Sequence, residues 1–220
     1  MKTYNIAIDG PSGAGKSTAA RALAARLNIA YLDTGALYRA VGLKAMRCGW
    51  KENNDDVAEK LRHTDIRVAY DNGRQIVYLD GEDVSVAIRN DEVSSWGSRF
   101  SALPSVRAAL LGLQRRIADE YSSVLDGRDI GTCVLPSAKY KFFLTASVDK
   151  RALRRYNELR SRGADAEYEK VRADIEARDY RDTHREVAPL RKADDAIEIN
   201  SDDLDAEEVV QKMLSYISER

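Results

Sequence analysis

Gly10-Pro11-Ser12-Gly13-Ala14-Gly15-Lys16-Ser17 fits G-x-x-x-x-G-K-[ST] at every position. Before it, Tyr4 to Ile8 is a short, nearly continuous apolar run, which suits a strand buried on both faces of a parallel sheet. After it, Ser17 to Leu27 carries Ala20, Leu23, Ala24 and Leu27 on one helical face. Glycines let successive backbone N–H groups turn inward around a phosphate, and the following helix offers its positive end. In such a loop Lys16 reaches the β- and γ-phosphates of a nucleotide, and the Ser17 hydroxyl can ligate Mg2+. A chance match in a chain of this length is an event of about one per cent. A dinucleotide-binding turn fits less well, because Gly13-Ala14-Gly15 would need glycine or alanine where Thr18 stands.

Outward from the loop, a second short strand ends at Leu32-Asp33, and Gly35 to Arg47 reads as a helix, completing a βαβ unit. The pattern then changes. Ile66, Val68 and Tyr70 alternate, Asn72-Gly73 follows, then Gln75 to Leu79, then Asp80-Gly81. These dipeptides between alternating runs predict a small antiparallel meander. From Ser105 the helical period returns with Val106, Leu110, Leu113, Ile117 and Tyr121. Val124-Leu125-Asp126, Lys141 to Ala146 and Ala196 to Ile199 read as further strands. Asp149 is the expected cap of a helix running to Gly163, a charged helix spans about 165–183, and Ser201 is the expected cap of a final helix with Val209, Met213 and Ile217 inward. The sum is an α/β chain with five parallel strands flanked by helices and an antiparallel insert.

Composition narrows the function class. The 220 residues carry a net charge of -1, with no global basic field for nucleic acid. Cys48 and Cys133 show no metal-like spacing and argue against a disulfide framework. The start lacks a signal-peptide core, and no window approaches a membrane span, which points to the cytoplasm.

Three further segments carry chemistry. Asp33-Thr34-Gly35-Ala36-Leu37-Tyr38-Arg39 and Asp126-Gly127-Arg128-Asp129-Ile130-Gly131-Thr132 both follow strands, at the edge where α/β sheets bind ligands. Arg178, Arg181 and Arg185 project to one side of a helix. Asp126, at a strand end, is an outer-shell candidate for Mg2+, whereas Asp9 reads equally as structural or functional. Arg151, Arg154, Arg155, Arg160 and Arg162 read as solvated, paired helix faces.

The segments IDGPSGAGKST, LDTGALYR, EDVSVAIR, DGRDIGT and RDYRDTHREVAP, in this order, closely resemble the bacterial cytidylate kinases, a family of P-loop nucleoside monophosphate kinases. The chain departs from that family's usual pattern at Cys133 and Ser137. The resemblance implies one P-loop kinase unit with a core of 1–40, 100–150 and 190–220, a monophosphate-binding insert of about 41–99 and a helical lid of about 151–189. It implies ATP with Mg2+ as donor and CMP or dCMP as acceptor, a UMP kinase being the nearest alternative, in a monomeric enzyme without nucleic-acid or membrane partners. Gly10, Pro11, Ser12, Gly13, Ala14, Gly15, Lys16, Ser17 and Thr18 would bind ATP. Thr34, Gly35, Tyr38, Arg39, Ser98, Arg107, Arg128, Asp129, Arg178, Asp182 and Arg185 would bind CMP. Arg39, Arg128 and Arg185 would hold its phosphate, Ser98, Arg107 and Asp129 would read the cytosine, and Arg178 and Asp182 would lie near the sugar. Lys16, Arg128, Arg181 and Arg185 would carry the transfer. A GTPase-like switch would need a guanine-reading N-K-x-D segment, which the chain lacks.

Overall fold

The computed structural model describes residues 4–218. Strand β1 (Asn5–Asp9) leads through the glycine loop into helix α1 (Lys16–Leu27), then β2 (Ala30–Asp33) and α2 (Thr34–Cys48). Gly10 is required where it stands: a Cβ there would lie 2.0 Å from the Leu144 carbonyl oxygen. That approach lets the loop leave the sheet directly over the neighbouring strand. The Asp33 carboxyl caps α2 by accepting from the Ala36 N–H.

The insert begins with α3 (Asn54–Leu61) and folds as a meander of β3 (Ile66–Asp71), β4 (Arg74–Leu79) and the two-residue β5 (Glu82–Asp83). Asn72-Gly73 turns β3 into β4, with both residues at positive φ as a tight hairpin requires. Helices α4 (Asp91–Phe100) and α5 (Pro104–Glu120) follow. Neither α3 nor α4 was read as a helix from the sequence: both spans are short and mostly polar, although Val93, Trp96 and Phe100 of α4 do recur at helical spacing. The insert has its own core, in which Leu37 and Val41 of α2 meet Val77, Leu79, Ile88 and Phe100.

The chain re-enters the main sheet as β6 (Ser123–Gly127) and passes through a π-turn at 130–134 into β7 (Tyr140–Thr145). It continues through α6 (Val148–Ser161), α7 (Tyr168–His184), β8 (Ile197–Asn200) and α8 (Ala206–Ser218). The strands lie in the order β2-β6-β1-β7-β8 and all pair in parallel, as the buried apolar runs predict. Side chains such as Ile6, Ile8, Leu23, Phe142 and Met213 fill one layer. Ala7, Leu32, Leu125, Ile130 and Ile117 fill a second.

Two expected caps are replaced. Ser147, rather than Asp149, caps α6 by accepting from the Lys150 N–H, while Asp149 accepts from Arg172 at 2.8 Å. Ser201 is buried at the end of β8, where its hydroxyl donates to the carbonyls of Ala14 and Thr145. Asp205 takes the capping position before α8, accepting from the Glu208 N–H. In both cases the residue adjoining the helix outcompeted one displaced in sequence.

Candidate active site

The carboxyl ends of β1, β2 and β6, with α4, α5 and the facing sides of α6 and α7, enclose a cleft of about 940 Å3. Parallel sheets bind ligands at this edge because the helix N-termini and strand-end loops converge there.

At one end lies the phosphate loop. Lys16 is buried, and its Nζ donates to the Pro11 carbonyl of the same loop at 2.7 Å. Burial, and next the positive charge of Arg128, hold its proton affinity well below that of an ordinary lysine. Ser17 Oγ donates to Asp126 Oδ2 at 2.8 Å, and Tyr31 donates to Asp126 Oδ1 at 3.0 Å. Burial, with Asp33 next, pushes the Asp126 carboxyl upward. A hydroxyl and a buried carboxylate in contact form a hard-oxygen set that a small divalent cation suits. Among the described residues no group of three or more His, Cys, Asp or Glu side chains could hold a metal ion.

At the other end Asp129 is enclosed by cations. It forms an ion pair with Arg107 and a second, at 3.3 Å, with Arg185. The Arg107 guanidinium lies 5.3 Å from the centre of the Tyr38 ring. Arg128 Nε donates to Asp182 Oδ2 at 2.8 Å, and Asp182 is in turn 4.0 Å from Arg185. Arg39 pairs with Asp33 at 2.7 Å and lines the cleft from the second turn of α2.

Between these ends positive charge is in excess. The Nε atoms of Arg178 and Arg39 are buried and find no hydrogen-bond partner among the described residues. Burial, then the charge of Arg128, hold Arg178 down to about 10. Lys16, Arg128 and Arg178 repel one another, with Asp126 and Asp182 the nearby counter-charges. Such a cluster is completed by a multiply charged anion.

The sequence-predicted residues are largely brought together. Ser12, Gly13, Gly15, Lys16, Ser17 and Thr18 line the cleft, as do Thr34, Gly35, Tyr38, Arg39, Ser98, Arg107, Arg128, Asp129, Arg178, Arg181, Asp182 and Arg185. Gly10 and Pro11 stand behind that lining, and Ala14 faces an adjoining recess of about 240 Å3 with Leu204 and Val209. The Thr34 hydroxyl is taken up by the Asp126 carbonyl at 2.7 Å, so Thr34 ties α2 to β6.

The reading of all α6 arginines as solvated faces is corrected at Arg151, which is 4% exposed. It donates to the carbonyls of Ala146 and Ser12 and forms an ion pair with Asp179 at 2.6 Å, bridging the phosphate loop to α7. Arg154 likewise donates to Ser201. Arg155 forms an ion pair with Asp91 across the cleft mouth. Arg160 and Arg162 remain on the surface, paired with Asp165 and Glu158. Charge density along α6 concealed this division; what distinguishes Arg151 is its place one turn after the Ser147 cap, packed so closely on the phosphate loop that a Cβ on Gly13 would come 3.1 Å from the Arg151 Cβ.

A family model described as "Cytidylate kinase" matches residues 6–219. A cytidylate kinase of Caldicellulosiruptor bescii is 48% identical over 215 residues, covering 97% of this chain and 95% of that one. One from Mannheimia succiniciproducens is 44% identical over 220 residues, covering 100% and 98%. Among solved structures, a shikimate kinase from Bacteroides thetaiotaomicron aligns over 98% of both chains with a TM-score of 0.50 and 14% sequence identity, which bears on the fold alone.

Proposed function

The chain belongs to the cytidylate kinase family, and from that membership and the cleft we infer how it transfers the terminal phosphoryl group of ATP to CMP, giving CDP and ADP. The single observation that carries the residue assignments is the excess of cations between a phosphate loop and an Asp129 set between two arginines.

The phosphate loop and Lys16 take the triphosphate; Ser17, with Asp126 in the outer shell, would hold Mg2+. The ion would neutralise charge on the phosphate oxygens. The acceptor phosphate is already a nucleophile, so the protein's task is placement and charge compensation. Arg39, Arg128 and Arg185 hold that phosphate in line with the donor. An acceptor oxygen forms the new bond to the γ-phosphorus as the bond to the bridging oxygen of ADP breaks. Arg178 and Arg181 border the space where negative charge shifts. Lys16, Arg128, Arg181 and Arg185 are the groups we assign to the transfer itself.

Ser98, Arg107 and Asp129 read the base. The Asp129 carboxylate accepts from the exocyclic amine of cytosine, and Arg107 donates to the ring acceptors. Uracil presents an oxygen where that amine would be, leaving two acceptors face to face, so UMP is not favoured. The same chemistry admits dCMP, because the sugar contacts we assign to Arg178 and Asp182 are not needed for base reading.

Residues 41–99 act as the monophosphate-binding insert and 151–189 as the lid, closing over the cleft to exclude water. The Arg155–Asp91 ion pair between the two segments supports that reading. We place the enzyme in the cytoplasm as a monomer. Among the described residues no helix is long and apolar enough to cross a membrane.

A coupled ADP-release assay with ATP, Mg2+ and each of CMP, dCMP, UMP and AMP tests the assignment. Fast release with CMP and dCMP and little with UMP or AMP is expected. Preference for another acceptor would overturn the base-reading set.

A further inference from the structure

Asp9 is the last residue of β1 and stands immediately before Gly10, the first residue of the phosphate loop. Its side chain points sideways rather than at the loop. Oδ1 accepts from the Ile130 N–H at 2.8 Å, and Oδ2 accepts from the Gly131 N–H at 2.7 Å. These consecutive amides open the π-turn and directly follow Asp129, whose carboxyl faces the other way into the Arg107–Arg185 pair. Backbone pairing adds a further tie, because Asp9 lies opposite Gly127, the residue before Arg128. The fit is close: a Cβ on Gly131 would come 3.4 Å from Asp9 Oδ2 and 3.2 Å from Lys141 Cδ.

We propose that Asp9 is a positioning residue, a two-point carboxylate anchor that locks the Arg128–Asp129 turn in register with the phosphate loop, so that the donor and acceptor ends of the cleft form one rigid unit. The role requires a carboxylate. Two neighbouring N–H groups need two acceptor oxygens, and an asparagine in the same place offers one oxygen and sets an NH2 group against the second N–H. The turn itself would be cheaper to build with apolar packing, since a carboxylate only 4% exposed is a burden on the fold. Burial is the first cause lifting its pKa to about 6, with the two amides opposing. A buried charge that costs stability yet holds a reactive loop is the signature of placement rather than of folding.

The inference rests on the cytidylate kinase reading, and the experiment separates the two. In the Asp9→Asn variant, KM for CMP is expected to rise about tenfold or more while KM for ATP moves less than threefold, because one charge-assisted hydrogen bond is lost. Amide exchange of the 127–135 segment should quicken, with the segment around α8 unchanged. A merely structural Asp9 would lower thermal stability and change both KM values together. That outcome, or unchanged CMP kinetics with unchanged exchange, overturns the proposal. Should Asp9→Asn not fold, Asp9→Ser, which leaves one short acceptor, supports the same two readouts. Should the wild-type protein show no CMP-dependent ADP release, the functional reading falls, and the exchange measurement alone still decides whether Asp9 anchors the turn.

Discussion

The Gln75 carboxamide on β4 pairs with both backbone groups of Asp33, accepting from its N–H at 2.8 Å and donating to its carbonyl at 3.3 Å. Strand β2 is an edge of the main sheet, and the N–H of its last residue would otherwise face that edge unpaired. A side chain of the insert thus completes the ladder at the residue that caps α2 and holds Arg39. Replacing Gln75 with Leu leaves the Asp33 N–H without a partner, a loss of about 1–3 kcal/mol. KM for CMP is expected to rise about threefold to tenfold, with KM for ATP changing less than twofold. Equal changes in both would remove Gln75 from the acceptor site.

Asp129 makes a sharper test of base reading. Asp129→Asn preserves shape but removes the charge that Arg107 and Arg185 compensate. Its amide can rotate to donate to uracil O4 as readily as accept from cytosine N4. We expect kcat/KM for CMP to fall about a hundredfold and the CMP:UMP preference to shrink at least tenfold. A preserved preference would assign discrimination to other residues.

The glycine loop and the strand ends were legible because each obeys a local rule: a fixed glycine spacing, an apolar run or an Asn-Gly turn. Arg107, Asp129 and Arg185 were legible only through resemblance, since nothing in their spacing of 22 and 56 residues marks them as partners. Gln75 and Arg151 escaped altogether. Both act by reaching a backbone group distant in sequence, 42 residues away for Gln75 and 139 for Arg151. Tertiary hydrogen bonds of this kind leave no periodic trace. Asp9 was ambiguous for the same reason, because a strand-end acid declares its partner only when the neighbouring strand is in place.

Gly42 and Gly97 set the approach of α2 and α4. A Cβ on Gly42 would lie 2.4 Å from the Gly97 backbone nitrogen, so the helices must part to admit any side chain. Gly42→Ala is therefore expected to cost about 1–3 kcal/mol by overpacking. For a chain of this size that lowers Tm by roughly 2–10 °C in a thermal melt. Because Ser98 follows Gly97 on α4, KM for CMP should rise with the same substitution. A Tm within 1 °C of wild type would mean the helices separate freely.

Asp9 also predicts a pH dependence of stability. Its folded-state pKa is raised from 3.8 to about 6, first by burial and then by the charge of Asp129, against the Ile130 and Gly131 amides and Lys16. A raised carboxyl binds its proton more tightly in the folded state than in the unfolded one. The associated stability is fully present below pH 3.8 and is lost as pH rises through about 6. Each pKa unit is worth about 1.4 kcal/mol, so the loss is on the order of 3 kcal/mol. Asp9→Asn carries no titrating group there. Its stability relative to wild type, followed by denaturant melts, should improve by up to that amount between pH 4 and pH 7.5. A difference that stays flat over this range would show that Asp9 is ionised at no net cost, and the anchor would then be stabilising rather than costly to the fold.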